Sequence, residues 1–79
     1  IRTDHDGLRV NNLVTRREVE ILGWIKEGKT TSDIAGILSL SPSTVKNHVQ
    51  NILKKLGARS RSHAVAQAIN LGLLHGGRI

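Results

Sequence analysis

The sequence predicts an all-α fold of four helices, with the second and third joined tightly as a helix-turn-helix. Three observations predict it. Apolar residues recur at helical spacing, most clearly at Val45, Val49, Ile52, Leu53 and Leu56. Thr15 with Glu18, and Thr30 with Asp33, form capping pairs in which a hydroxyl residue is followed three positions later by an acid. Gly28, Gly57 and Gly72 stand where such helices would stop, because glycine enters the left-handed conformation at little cost.

At 79 residues the chain makes one small domain, near the lower end of what folds without help. Cysteine is absent, which excludes disulfides and thiolate metal sites. The core must be aliphatic, since Trp24 is the only aromatic residue. No apolar run has the length of a membrane span or of a signal-peptide core, so the expected protein is soluble and cytoplasmic with no membrane partner. A first residue of Ile1 in place of methionine suggests a piece of a longer protein.

The net charge of +6 is unevenly placed. All the acids (Asp4, Asp6, Glu18, Glu20, Glu27, Asp33) precede Leu40, where Arg2, Arg9, Arg16, Arg17, Lys26 and Lys29 balance them. Beyond that point Lys46, Lys54, Lys55, Arg59, Arg61 and Arg78 have no acidic neighbours in sequence. The asymmetry favours a polyanionic partner, although by charge alone a merely solvated basic face fits equally well.

Residues 1–12 show no period and read as a linker or disordered tail. His5 between Asp4 and Asp6 has the donor chemistry of a metal site, but no second cluster exists to complete one, and no metal or other cofactor is expected. The folded domain is expected over 13–75, and 76–79 should fray.

Helix 1 starts after Thr15 and runs to about Glu27, with Val14, Ile21, Leu22 and Ile25 on one face. Glu18 shares that apolar side. A carboxylate there needs a partner, either the cap or a cation from a later helix. Trp24 lies at the edge of the arc and reads as core or boundary packing. Helix 2 follows Thr30 for about two turns, burying Ile34, Ala35 and Leu38. Gly36 inside it is either a close-approach point for a neighbouring backbone or a tolerated surface position.

The connection Ser39-Leu40-Ser41 leads directly into helix 3, where Ser41 caps and Pro42 fits the first position. Opposite its apolar stripe helix 3 carries Ser43, Asn47, Gln50, Asn51 and Lys54, flanked by Lys46 and Lys55. Amides, a hydroxyl and positive charge are the groups that read base edges and grip phosphates. Helix 4 spans about Arg61 to Leu71. Its apolar residues Ala64, Val65, Ala68, Ile69 and Leu71 cover nearly half the circumference, which fits either a partly exposed dimer face or full burial. Leu73 and Leu74 should close the core.

These residues carry a family resemblance. The ordered set Val14-Thr15, Arg17-Glu18, Leu22, Gly28-Lys29-Thr30, Ile34-Ala35, Ser41, Ser43-Thr44-Val45-Lys46, His48, Asn51-Ile52, Lys55-Leu56, Arg61 and Ala64-Val65 resembles the LuxR-type DNA-binding domain over about residues 13–74. That family fold is a four-helix bundle containing a helix-turn-helix, at the C-terminus of a transcription regulator. Trp24 and the ending AVAQAINLGLL look closest to the branch whose sensors bind small diffusible autoinducers.

The resemblance implies sequence-specific binding of double-stranded DNA, with the recognition helix at about 42–56 in the major groove. Lys46, Asn47 and Gln50 would read bases; Thr30, Thr31, Ser43, Thr44, Asn51, Lys54 and Lys55 would hold phosphates. His48 on the flank either reaches a phosphate or packs back against the fold, with the structural role slightly favoured. The implied partners are a second copy on an inverted repeat, an upstream sensor or receiver domain, and RNA polymerase. Four positions depart from the family pattern: Arg16 for proline, Lys26 for a small apolar residue, Ala58 for valine, and His63 for an acid that would complete the cap of helix 4. The last should weaken that helix start.

Two other functions compete. A sigma-factor promoter-recognition domain shares helices 1 to 3, although the fourth helix ending in GLL argues against it. A protein-interaction module using the apolar face of helix 4 would bind DNA weakly and without sequence preference. An enzyme is not expected, because His5, His48, His63 and His75 form no ligand spacing and no nucleophile has an evident base.

Overall fold

The computed structural model describes residues 14–75. Four helices follow in order: α1 (Arg16–Lys26), α2 (Thr31–Leu38), α3 (Pro42–Leu56) and α4 (Arg61–Asn70), with no strand among the described residues. The tail expected at 1–12, the Asp4-His5-Asp6 cluster and the frayed end at 76–79 lie outside the described residues.

Each helix starts where local chemistry supplies a partner for its free N–H groups. At α1 the Glu18 N–H donates to Thr15 Oγ1 at 3.1 Å and the Thr15 N–H donates back to Glu18 Oε1 at 2.8 Å. Thr30 and Asp33 repeat the arrangement at α2, at 3.1 and 3.0 Å. Ser41 Oγ accepts the Thr44 N–H at 3.1 Å, with Pro42 in the first position of α3. Ser60 caps α4 through the His63 N–H at 3.1 Å, and His63 Nδ1 accepts the Arg59 N–H at 3.1 Å. The histidine thus does part of the acid's work, one residue further back than a capping box would.

The stops also follow the chain's chemistry. Gly28, Gly57 and Gly72 all have positive φ, at 88°, 62° and 78°. Helices α1 and α4 end one residue earlier than expected, with Glu27 and Leu71 as C-caps. At the end of α2 the left-handed position is filled by Ser39, φ 57°, the only non-glycine in that region among the described residues. Its neighbour Leu40 then donates to Ala35 O at 2.9 Å, closing the last turn of α2 and aiming the chain into α3. A non-glycine residue held there costs about 1 kcal/mol.

The core gathers one stripe from each helix: Ile21 and Leu22 from α1, Ile34 and Ala35 from α2, Val45, Val49, Ile52 and Leu56 from α3, Ala64 and Ala68 from α4, with Val14 ahead of α1. Helix α3 packs against all three others, and α4 packs across α1 and α3. Trp24, Leu73 and Leu74 pack partly buried at the core's boundary.

Two alternatives that the sequence leaves open are decided here. Ala64 and Ala68 take the buried alternative: at 1% and 0% exposure their methyl groups fill the contact of α4 with the bundle, where a small residue lets helices approach. Only Val65, Ile69 and Leu71 of that set keep exposed surface, Leu71 most at 43%. Gly36 is the tolerated surface position: it is exposed, and among the described residues a methyl added there would meet nothing within 4 Å.

Candidate nucleic-acid interface

Helix α3 has its apolar stripe locked against three helices, so its opposite face must point outward. That face is polar by sequence, and it is exposed: Ser43, Lys46, Asn47, Gln50, Asn51 and Lys54 all lie in water. Among the described residues no intramolecular hydrogen bond or ion pair occupies the side chains of Lys46, Asn47, Gln50, Asn51 or Lys54. Their donors and acceptors are available to a ligand. Lys46, Asn47 and Gln50 are brought together on the second and third turns of α3, and Lys54 follows one turn beyond Gln50. An amide presents both a donor and an acceptor, which is what a bidentate contact with adenine requires.

The remaining expected contacts divide. Thr44 is half-buried, and its hydroxyl lies 2.9 Å from Ser41 Oγ, so it belongs to the cap of α3 as well as to the surface. The Thr30 hydroxyl accepts the Asp33 N–H and the Thr31 hydroxyl accepts from the Arg61 guanidinium. Asp33 is held below the usual carboxylate range by its hydrogen bonds with the Thr30 backbone and hydroxyl.

Lys55 departs from the expected role. Its ammonium turns inward to donate to both oxygens of Glu18, at 2.8 and 3.1 Å. The Glu18 side chain is 4% exposed, and a carboxylate in that position needs a counter-charge, so the cation that follows Lys54 is drawn to the seam between α1 and α3. Both partners considered for Glu18 are present, because Oε1 accepts from the Thr15 N–H as well as from Lys55. Burial by itself would raise the Glu18 carboxyl, but the Lys55 hydrogen bonds, the Thr15 N–H and the charges of Lys55 and His48 outweigh it and hold the group below its ordinary value. His48 is half-buried on the flank of α3.

Arg61, outside the expected contact set, reaches back to α2 through its bond to Thr31. It stands directly after Ser60, in the acid-free half of the chain. Elsewhere, an open notch on α1 is lined by Glu20, Gly23, Trp24 and Glu27, and among the described residues no group of three metal-binding side chains occurs.

Comparison with known proteins agrees with this geometry. Residues 12–68 match the family model for bacterial regulatory proteins of the luxR family. The spore germination protein GerE of Bacillus subtilis is 42% identical over 62 residues, covering 78% of this chain and 84% of the relative. The transcriptional activator protein EchR of Dickeya chrysanthemi is 43% identical over 63 residues, 80% of this chain but 25% of EchR, so the chain spans about a quarter of that relative's length. The solved structure of the transcription factor GerE superposes with a TM-score of 0.74 at 39% identity, covering 77% of this chain and 91% of that one. The response regulator ChrA of a heme-sensing two-component system gives 0.75 at 34% identity, covering 77% of this chain and 30% of ChrA. The four helices, the helix-turn-helix with its polar outer face and the match over 12–68 lead to one assignment: the chain belongs to the luxR family of bacterial regulatory proteins, as a luxR-type helix-turn-helix domain.

Proposed function

We propose that this domain binds double-stranded DNA sequence-specifically as the output domain of a transcription regulator in the bacterial cytoplasm. Helix α3 enters the major groove. Lys46, Asn47 and Gln50 read base edges, while Ser43, Thr44, Asn51 and Lys54 hold the flanking phosphates. The observation that carries this reading is the outer face of α3, where basic and amide side chains stand exposed with no intramolecular partner among the described residues.

Two copies bind an inverted repeat, with half-sites about 34 Å apart, one helical turn of DNA. The half-buried Val65 and Ile69 with the exposed Leu71 support α4 as the contact between them. The relatives support the setting: EchR is a transcriptional activator of which this chain spans a quarter, and ChrA belongs to a two-component system. An upstream sensor or receiver domain then governs pairing, and the assembled regulator acts on RNA polymerase.

Selection of bound duplexes from a random pool tests the reading. Enrichment of one half-site, repeated in inverted orientation, is the expected result. A pool that stays random after several rounds, with retained duplexes held only by charge, would overturn it.

A further inference from the structure

Arg61 opens α4, yet its guanidinium reaches across to α2 and donates through an NH2 group to Thr31 Oγ1, 30 residues earlier in the chain. A guanidinium has five N–H donors in a rigid fork, so one bond to Thr31 leaves most of the fork available. No carboxylate forms an ion pair with it among the described residues. The acid nearest to Thr31 along α2, Asp33, is turned back onto the Thr30 N–H at 3.0 Å. Arg61 therefore keeps its charge while losing its freedom, because both it and Thr31 are half-buried.

Thr31 changes as well. Its oxygen accepts from a cation but retains its own proton, and a hydroxyl polarised in this way donates more strongly. The position is also apt: α2 packs against α3, and only the short connection after Leu56 separates the last turn of α3, with Lys54, from Arg61. We propose that Arg61 and Thr31 form a composite clamp for one phosphate of the DNA backbone. Arg61 supplies the charge and the fork, and Thr31 holds the guanidinium and adds a hydroxyl donor. Thr30, whose oxygen already accepts the Asp33 N–H at 3.1 Å, serves the cap of α2. This inference rests on the DNA-binding reading and names a contact that reading lacks.

The test is the salt dependence of binding by the 79-residue chain, read by fluorescence anisotropy on a selected site and on a scrambled duplex. Arg61→Gln is expected to weaken both duplexes alike and to lower the log–log salt slope by about one unit. Arg61→Lys keeps the slope but binds less tightly, since an ammonium lacks the fork. Thr31→Val also keeps the slope and weakens both duplexes, with circular dichroism confirming a folded chain in each case. A folded Arg61→Gln with the wild-type slope, where Lys54→Ala lowers it, overturns the clamp and leaves the DNA-binding reading intact. A wild-type chain without site preference but with an Arg61-dependent slope supports the clamp and removes the sequence-specific reading. Should Arg61→Gln fail to fold, wild-type affinity in both Arg61→Lys and Thr31→Val overturns the proposal.

Discussion

Lys54 and Lys55 are adjacent in the chain and belong to different parts of the molecule. Lys54 lies on the outer face of α3, exposed, with no ion pair among the described residues. Lys55, about 100° further round the helix, donates both its short hydrogen bonds to Glu18 in the seam with α1. One lysine keeps its charge exposed and unpaired among the described residues; the other neutralises a charge that folding has taken out of water. The difference teaches that α3 divides its labour by face, and that a count of basic residues overstates what the DNA side can use.

The largest expected effect tests the seam. Lys55→Ala leaves Glu18 buried without its cation, a change that costs about 3 kcal/mol in a fully buried pair. Because the Lys55 side chain is 34% exposed, about 2 kcal/mol is expected in a urea titration. The salt slope of DNA binding should stay at its wild-type value. A lowered slope in Lys55→Ala would return this lysine to the phosphates and dissolve the contrast with Lys54.

Acid titration sharpens the same point. The Glu18 carboxyl is depressed in the folded state, so the folded chain holds the ionised form more firmly than the unfolded chain does. Its stabilisation is complete above the ordinary glutamate range and is lost as pH falls through the lowered folded value. Unfolding free energy measured against pH is expected to fall more steeply on the acid side in the wild type than in Glu18→Gln, where this titration is missing.

On the outer face the losses should appear in recognition and leave stability alone. Asn47→Ala or Gln50→Ala is expected to reduce discrimination at particular base pairs by about 2 kcal/mol, seen as relaxed positions in a repeated site selection. Urea midpoints of both should stay close to wild type, since neither side chain has an intramolecular hydrogen bond among the described residues. Equal weakening on all sequences would make these amides phosphate contacts and leave base reading to Lys46.

The turn that aims α3 gives a smaller effect. Ser39→Gly relieves the left-handed strain at φ 57° and should raise stability by about 1 kcal/mol, less the greater freedom of glycine in the unfolded chain. A loss of stability instead would mean that the Ser39 side chain holds the turn. Smallest of all is Lys54→Ala, within about 0.5 kcal/mol in stability, with a salt slope lower by about one unit.

Most of this fold is legible in the residues, because the information that writes it is short-range. Thr15 and Glu18, Thr30 and Asp33, and Ser41 and Thr44 interact three positions apart, and the stops at Gly28, Gly57 and Gly72 depend on one residue's own sterics. The apolar stripe of α3 and the acid-free half beyond Leu40 are likewise visible without coordinates, and with them the outer face that makes the candidate site. Ser39 escapes such reading, since serine in the left-handed region carries no compositional signal.

Long-range pairing belongs to the tertiary structure. Glu18 and Lys55 are 37 positions apart and Thr31 and Arg61 are 30 apart, so their partnership exists only once α1, α2 and α4 have packed around α3. The apolar arc of α4 is equally ambiguous until Ala64 and Ala68 are found under the bundle and Leu71 outside it. Periodicity states which residues share a helical face. Which face meets a neighbour, and which lysine or arginine is drawn inward to a buried carboxylate or a half-buried hydroxyl, is decided by packing, because the desolvation that favours such a pairing exists only in the folded chain.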